Sequence, residues 1–125
     1  MQPSLIKALP IVAAAYAERF GVPVHVGGSQ ACTDGRSVRL PLLPLGDPAA
    51  LEQAAALLGP PFTGPAALPV RRFLEEALWG YLAHEAGGHV RHTDLSVWPS
   101  QPLARHLANV VEDIRIERAV IQDFP

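Results

Sequence analysis

Hydrophobic positions recur with a helical period near both ends of the chain and alternate with polar ones near residue 40. Leu5, Leu9, Val12, Tyr16 and Phe20 fall three or four apart, which predicts an amphipathic helix over residues 4–20, ended by Gly21 and Pro23. Val22 to Val26 reads as a short strand broken by Gly27-Gly28. Thr33-Asp34-Gly35-Arg36 is a turn signal, and Ser37 to Leu42 alternates so that Val38, Leu40 and Leu42 share one side. These runs predict a hairpin whose second strand ends at Pro41 or Pro44. Because proline donates no ladder hydrogen bond, a strand bearing Pro41 belongs at a sheet edge.

Asp47-Pro48 has the form of an N-cap followed by proline at the first helical position, opening a helix to about Leu58. Gly59-Pro60-Pro61 stops it, and residues 60–69, with four prolines, form a loop. Val70, Phe73, Leu74, Ala77, Leu78 and Tyr81 share one face of a further helix that runs into His84-Glu85. After a connection over residues 93–102, a last helix extends from Pro102 to Ile121. Its apolar stripe, Leu103, Leu107, Val110, Ile114 and Ile121, is expected to face the core. The fold class is α+β, a small sheet or hairpin packed by three to four helices in one domain over residues 1–125.

Composition narrows the function. Hydrophobic residues at 49% and charged residues at 18% describe a chain that buries a core. A net charge of -2 offers no attraction for nucleic acid or an anionic membrane, so neither is expected as a partner. The single cysteine, Cys32, cannot close an internal disulfide, and no run is long enough to span a bilayer, so the cytoplasm is the expected compartment. Lys7 followed by Ala8 to Ala17 imitates a secretory signal, but Pro10 interrupts the run and the basic flank is almost absent. The amphipathic helix is the better reading. The sequence ends at Asp123-Phe124-Pro125 without a tail, as the front part of a longer protein would.

The chemistry concentrates in His84-Glu85-Ala86-Gly87-Gly88-His89. The usual zinc-peptidase pattern sets two histidines four apart on a helix, with a glutamate after the first to polarise the water that the ion activates. Here the spacing is five, which on a regular helix puts the imidazoles roughly 140° apart. A π-bulge, or another turn one residue wider, restores their alignment, and Gly87-Gly88 would let the backbone adopt it at low steric cost. In the last helix, Asp113 and Glu117 sit together on the flank of the apolar stripe, and Glu112 points roughly opposite it. Asp113 is therefore the expected third ligand, with Glu112 as the alternative. Glu117 is expected to orient a ligand histidine by accepting its free ring N–H. His106 shares the flank of Asp113.

Other residues carry weaker signals. His92 reads as a solvated side chain, with a ligand or proton donor as its other roles; His25 reads as structural; Trp79 and Trp98 read as packing. Tyr81 continues an apolar stripe, although a tyrosine near a zinc site often stabilises an oxyanion.

The segment His84-Glu-Ala-Gly-Gly-His-Val-Arg-His-Thr-Asp94, followed by Asn109-Val-Val-Glu-Asp-Ile-Arg-Ile-Glu117, resembles the metallopeptidase-like domain that precedes a von Willebrand A domain in relatives of the cobaltochelatase T subunit. Thr33-Asp34-Gly35 leading into Val38-Arg39-Leu40-Pro41 matches the turn and Leu-Pro strand of such domains, so the resemblance covers roughly residues 30–125. The wide histidine spacing and the Glu-Asp-x-Arg-x-Glu element are also similar to dipeptidyl peptidase III, where the second acid of that element binds zinc; this too implies Asp113. The resemblance implies a small zincin-like fold of the gluzincin type and Zn2+ as cofactor. Val38, Arg39 and Leu40, within residues 37–42, would then be the edge strand that pairs with a peptide or protein substrate. It also implies a von Willebrand A domain or an AAA+ ATPase as partner. The expected activity is peptide-bond hydrolysis with Glu85 as general base; the alternative is a catalytically inactive metal-binding assembly module of a chelatase- or chaperone-type complex.

Overall fold

The computed structural model describes residues 3–125. Four α-helices, α1 (Pro3–Ala17), α2 (Pro48–Leu58), α3 (Val70–Leu82) and α4 (Pro102–Asp123), accompany a small sheet of β1 (Val24–Val26), β2 (Cys32–Thr33) and β3 (Val38–Leu40). This is the α+β class that the patterning predicts. A π-helical turn over Ala83–Val90 continues α3, and a short 3-10 turn over Leu95–Val97 precedes α4. Among the described residues, no helix is long and apolar enough to cross a membrane.

The row Leu9, Ala13 and Ala17 is the buried face of α1, with Leu5, Val12 and Tyr16 packed against the core beside it. The helix stops earlier than its apolar period suggests. Glu18 takes a positive φ of 49°, and Phe20 is fully exposed.

The strands pair differently from the expected hairpin. The sheet order is β1-β3-β2, with β1 parallel and β2 antiparallel to β3. The tight connection is β2 to β3. There the Asp34 carboxylate accepts hydrogen bonds from the Arg36 N–H (2.9 Å) and the Ser37 N–H (2.7 Å), while Thr33 Oγ1 donates to the Ser37 carbonyl (2.5 Å). Gly35 supplies the positive φ of 85° that this turn requires. Residues 38–40 are therefore the central strand, a correction to the edge position read from Pro41. Pro41 is tolerated because the β2–β3 ladder ends with Cys32 opposite Arg39, before the proline is reached. Val38 and Leu40 are fully buried and only Arg39 points outward, so neither backbone edge of this strand is free for a substrate. The sheet's edges are β1 and β2, of which β2 lies on the groove side.

Asp47 caps α2 as read, its carboxylate accepting from the Ala49 N–H at 3.0 Å. That helix buries no residue fully. On α3 the inward positions are Leu78 and Leu82, with Leu74 beside them; Phe73 leans on Phe62, their ring centroids 4.8 Å apart.

The apolar stripe of α4 does not face the core, and this is the largest departure from the sequence pattern. Leu103, Leu107, Val110, Ile114 and Ile121 are 62%, 57%, 48%, 54% and 68% exposed. The one fully buried residue of the helix is Ile116, roughly on the opposite side. The cause is what α4 packs on. Its inward face lies on the π turn, where Ile116 packs against Gly88. A Cβ added at Gly88 would lie 2.7 Å from Ile116 Cδ1 and 3.3 Å from its Cβ, whereas one at Gly87 meets Tyr16 at an ordinary 3.5 Å. Neither glycine takes a positive φ. Gly88 is thus required for proximity to α4 rather than for backbone freedom. Gly88→Ala should lower stability by about 1–3 kcal/mol, Gly87→Ala should be neutral or slightly stabilising, and Ile116→Val should partly restore the Gly88→Ala protein. Urea unfolding of the three variants checks this; equal stability of the two alanine variants would contradict it.

Candidate metal centre

The π turn sets the spacing of the two histidines. Hydrogen bonding from i to i+5 stacks His89 above His84, where an α-helix would turn them apart. Their rings lie 5.0 Å apart between centroids at 79°, and α4 brings Asp113 against both. One donor atom from each of His84, His89 and Asp113 lies within 4.8 Å of the others. Asp113 Oδ1 is 3.1 Å from His89 Nε2 and 3.6 Å from His84 Nε2. Donors around a tetrahedral zinc with bonds of about 2.0–2.1 Å stand about 3.3 Å apart, so the two measured separations bracket that spacing.

The hydrogen bonds around His89 decide which ring nitrogen is free. Arg115 forks onto Glu112 from Nε (2.9 Å) and Nη2 (2.5 Å). This guanidinium, with the Thr93 hydroxyl, pulls the Glu112 carboxyl down to about 2. An ionised Glu112 only accepts, so Thr93 Oγ1 donates its single proton to Glu112 Oε1 at 2.7 Å. Thr93 Oγ1 must then accept from His89 Nδ1–H at 3.0 Å. Burial, with His84 adding to it, lowers the His89 pKa despite the opposing acids, which favours the neutral ring. Neutral His89 with its proton on Nδ1 turns the Nε2 lone pair toward the Asp113 carboxylate. In that tautomer both groups are acceptors, and a cation between them would satisfy both. The donor chemistry therefore fits a divalent metal ion.

Glu85 follows His84 on the turn and is 6% exposed, its carboxyl lining the same cleft. Burial, and then the negative Asp113, push it up to about 7. The cleft is an open groove of about 1020 Å³ between the edge of β2, the end of α3 with the π turn, and α4. Tyr81, 43% exposed, lines this groove instead of the core, and Cys32 and Trp98 also line it.

Most residues singled out in the sequence converge here. Glu117 Oε1 approaches His84 Nδ1 at 3.7 Å, longer than a hydrogen bond but from the side expected of an orienting acid. Glu112 does not join the donor group; it faces inward and spends its carboxylate on Thr93 and Arg115. His92 is tied to Asp123 at 2.8 Å, away from the donors, while His25 and His106 are exposed. Thr93 carries no role in the sequence reading, and Arg115 figures there only as an ordinary partner of Glu112 on an exposed helix. Thr93 follows His89 by one helical turn and Arg115 follows Glu112 by three residues, so both had a positional signal.

The relay generates a direct expectation. Thr93→Val should weaken zinc affinity roughly 10- to 100-fold while leaving the fold intact, and Thr93→Ser should retain it, as measured by competition with a chelating dye. Unchanged affinity in the valine variant would show that the hydroxyl does not orient His89. No protein-family model, curated protein or solved structure matches this chain, so the reading of the site stands on its own geometry.

Proposed function

We propose that the protein is a zinc-dependent peptidase in which His84, His89 and Asp113 hold the ion and Glu85 is the general base. The observation that carries this reading is the triangle of possible ligand atoms from His84, His89 and Asp113, all within 4.8 Å of one another, with Asp113 Oδ1 at 3.1 Å from His89 Nε2. A zinc ion held there would polarise a carbonyl and lower the pKa of a bound water toward neutrality. Glu85 takes the proton of the attacking water and returns it to the departing amine as the C–N bond breaks. Tyr81, on the groove wall, would donate a hydrogen bond to the developing oxyanion. An extended peptide would pair with the open edge of β2, since residues 29–33 line the groove and β3 is closed on both sides.

A second reading keeps the metal and drops the catalysis. The exposed apolar face of α4, from Leu103 to Ile114, together with an α2 that buries no residue fully, suits a domain that completes its packing inside an assembly. A von Willebrand A domain or an AAA+ ATPase is the partner this reading names. Both readings place the protein in the cytoplasm, where an unpaired Cys32 is stable.

Tag-free protein loaded with zinc should hold one ion per chain by elemental analysis, and His89→Ala and Asp113→Ala should each lose it. Glu85→Gln should keep the ion and lose at least 100-fold in hydrolysis of a mixed peptide library, an order of magnitude set by removal of a general base. Hydrolysis that survives this substitution would contradict the assigned base, and metal-loaded protein that cleaves nothing in the library would favour the assembly reading.

A further inference from the structure

Arg105 lines the groove at the end of α4 remote from Glu117, and among the described residues it is the only lysine or arginine on the groove wall. Its Nε donates to the Pro99 carbonyl at 3.1 Å, which fixes the base of the guanidinium. Among the described residues it forms no ion pair, and it lines the groove without an acid beside it. The three carboxylates of the groove, Glu85, Asp113 and Glu117, lie toward the other end.

Its position is electrostatically unusual. Arg105 sits in the first turn of α4, the positive end of the helix dipole, and no acid occupies that turn. A cation there is disfavoured unless an anion comes to it.

We propose that Arg105 is a specificity-determining residue that binds a carboxylate of the peptide substrate. This inference rests on the peptidase reading of the same groove. Asp113 follows Arg105 by eight residues, about 12 Å along the helix at 1.5 Å per residue, with Asn109 between them. An extended peptide advances about 3.3 Å per residue, so the carboxylate lies three to four residues from the scissile bond. Trp98 supplies an apolar wall beside it. The carboxylate belongs either to an Asp or Glu side chain or to the substrate's C-terminus.

Peptide hydroxamates test this without requiring turnover, because the hydroxamate anchors on bound zinc and sets the register. Two series, with the hydroxamate at the N-terminal or the C-terminal end, carry a Glu or a Gln at one to six residues from it. A third arm compares a free C-terminal carboxylate with its amide at each distance. Zinc content is measured alongside binding to the zinc-loaded protein. Glu at three or four residues should bind about fivefold more tightly than Gln in one of the two directions, a gap that narrows as salt is raised. Arg105→Gln should remove the gap, Arg105→Glu should turn the preference toward a Lys peptide, and Arg118→Gln, on the outer face of α4, should change neither. A preference confined to the free C-terminus would identify the second source of the carboxylate. Equal binding of Glu and Gln, and of acid and amide, at every distance would overturn the proposal, as would a preference that survives Arg105→Gln. Zinc-loaded protein that binds no hydroxamate would overturn the peptidase reading itself, and this inference with it.

Discussion

Six consecutive residues, Glu85–Val90, are buried in a turn wound more widely than an α-helix, and α1, α3, α4 and β2 all close on it. The contact that permits this is Gly88 against Ile116, where a Cβ would not fit. The rest of the site follows from that approach. If α4 stood farther away, Asp113 would leave the two imidazoles and Glu112 would leave Thr93. Arg91 reinforces the arrangement from the other side of the turn: its guanidinium reaches Asp123 at 3.3 Å and Glu18 at 3.2 Å and lies over the Phe124 ring. Phe124 in turn packs edge-on against Tyr16 of α1. The end of α4 is thus held to the same turn that carries the histidines.

The electrostatics divides the neighbouring acids by environment. Glu112 is held ionised by Arg115 and acts only as an anchor for Thr93 and, through it, for the His89 tautomer. Glu85, buried near Asp113, is pushed in the opposite direction and has no such clamp. Two glutamates close to one donor triangle are thereby suited to different work, one structural and one to proton transfer. Asp113 stands between them, its Oδ1 turned toward both imidazoles and its Oδ2 approached by the Asn109 amide at 3.4 Å.

How far the sequence foretold this differs from element to element. The wide turn was legible because a five-residue histidine spacing has few backbone solutions, and α2 was legible from Asp47-Pro48. The pattern points to Asp113 through a face that the structure does not bury. The apolar stripe of α4 predicts its buried face, yet Ile116 marks the buried side and the stripe lies in solvent. Asp113 reaches the imidazoles because it is three residues from Ile116 on the side of the groove. For the same reason Glu112, opposite the stripe, faces inward. Hydrophobic periodicity reports the most apolar face of a helix, and α4 meets the π turn through a different face, Ile116 with the polar Glu112 and Asp113 beside it. The strand order was hidden for a different reason: β1 reaches β3 by a parallel pairing that no local turn signal records, so Pro41 pointed to an edge where the chain makes a centre.

The central claim is that one divalent ion sits between His84, His89 and Asp113. Anomalous diffraction across the zinc absorption edge, from crystals of zinc-loaded protein, tests it most directly. The account predicts a single strong peak within about 2.0–2.2 Å of His84 Nε2, His89 Nε2 and an Asp113 carboxylate oxygen. A crystal in which these three side chains are ordered and no peak lies between them, or in which the peak lies on other residues, would contradict it.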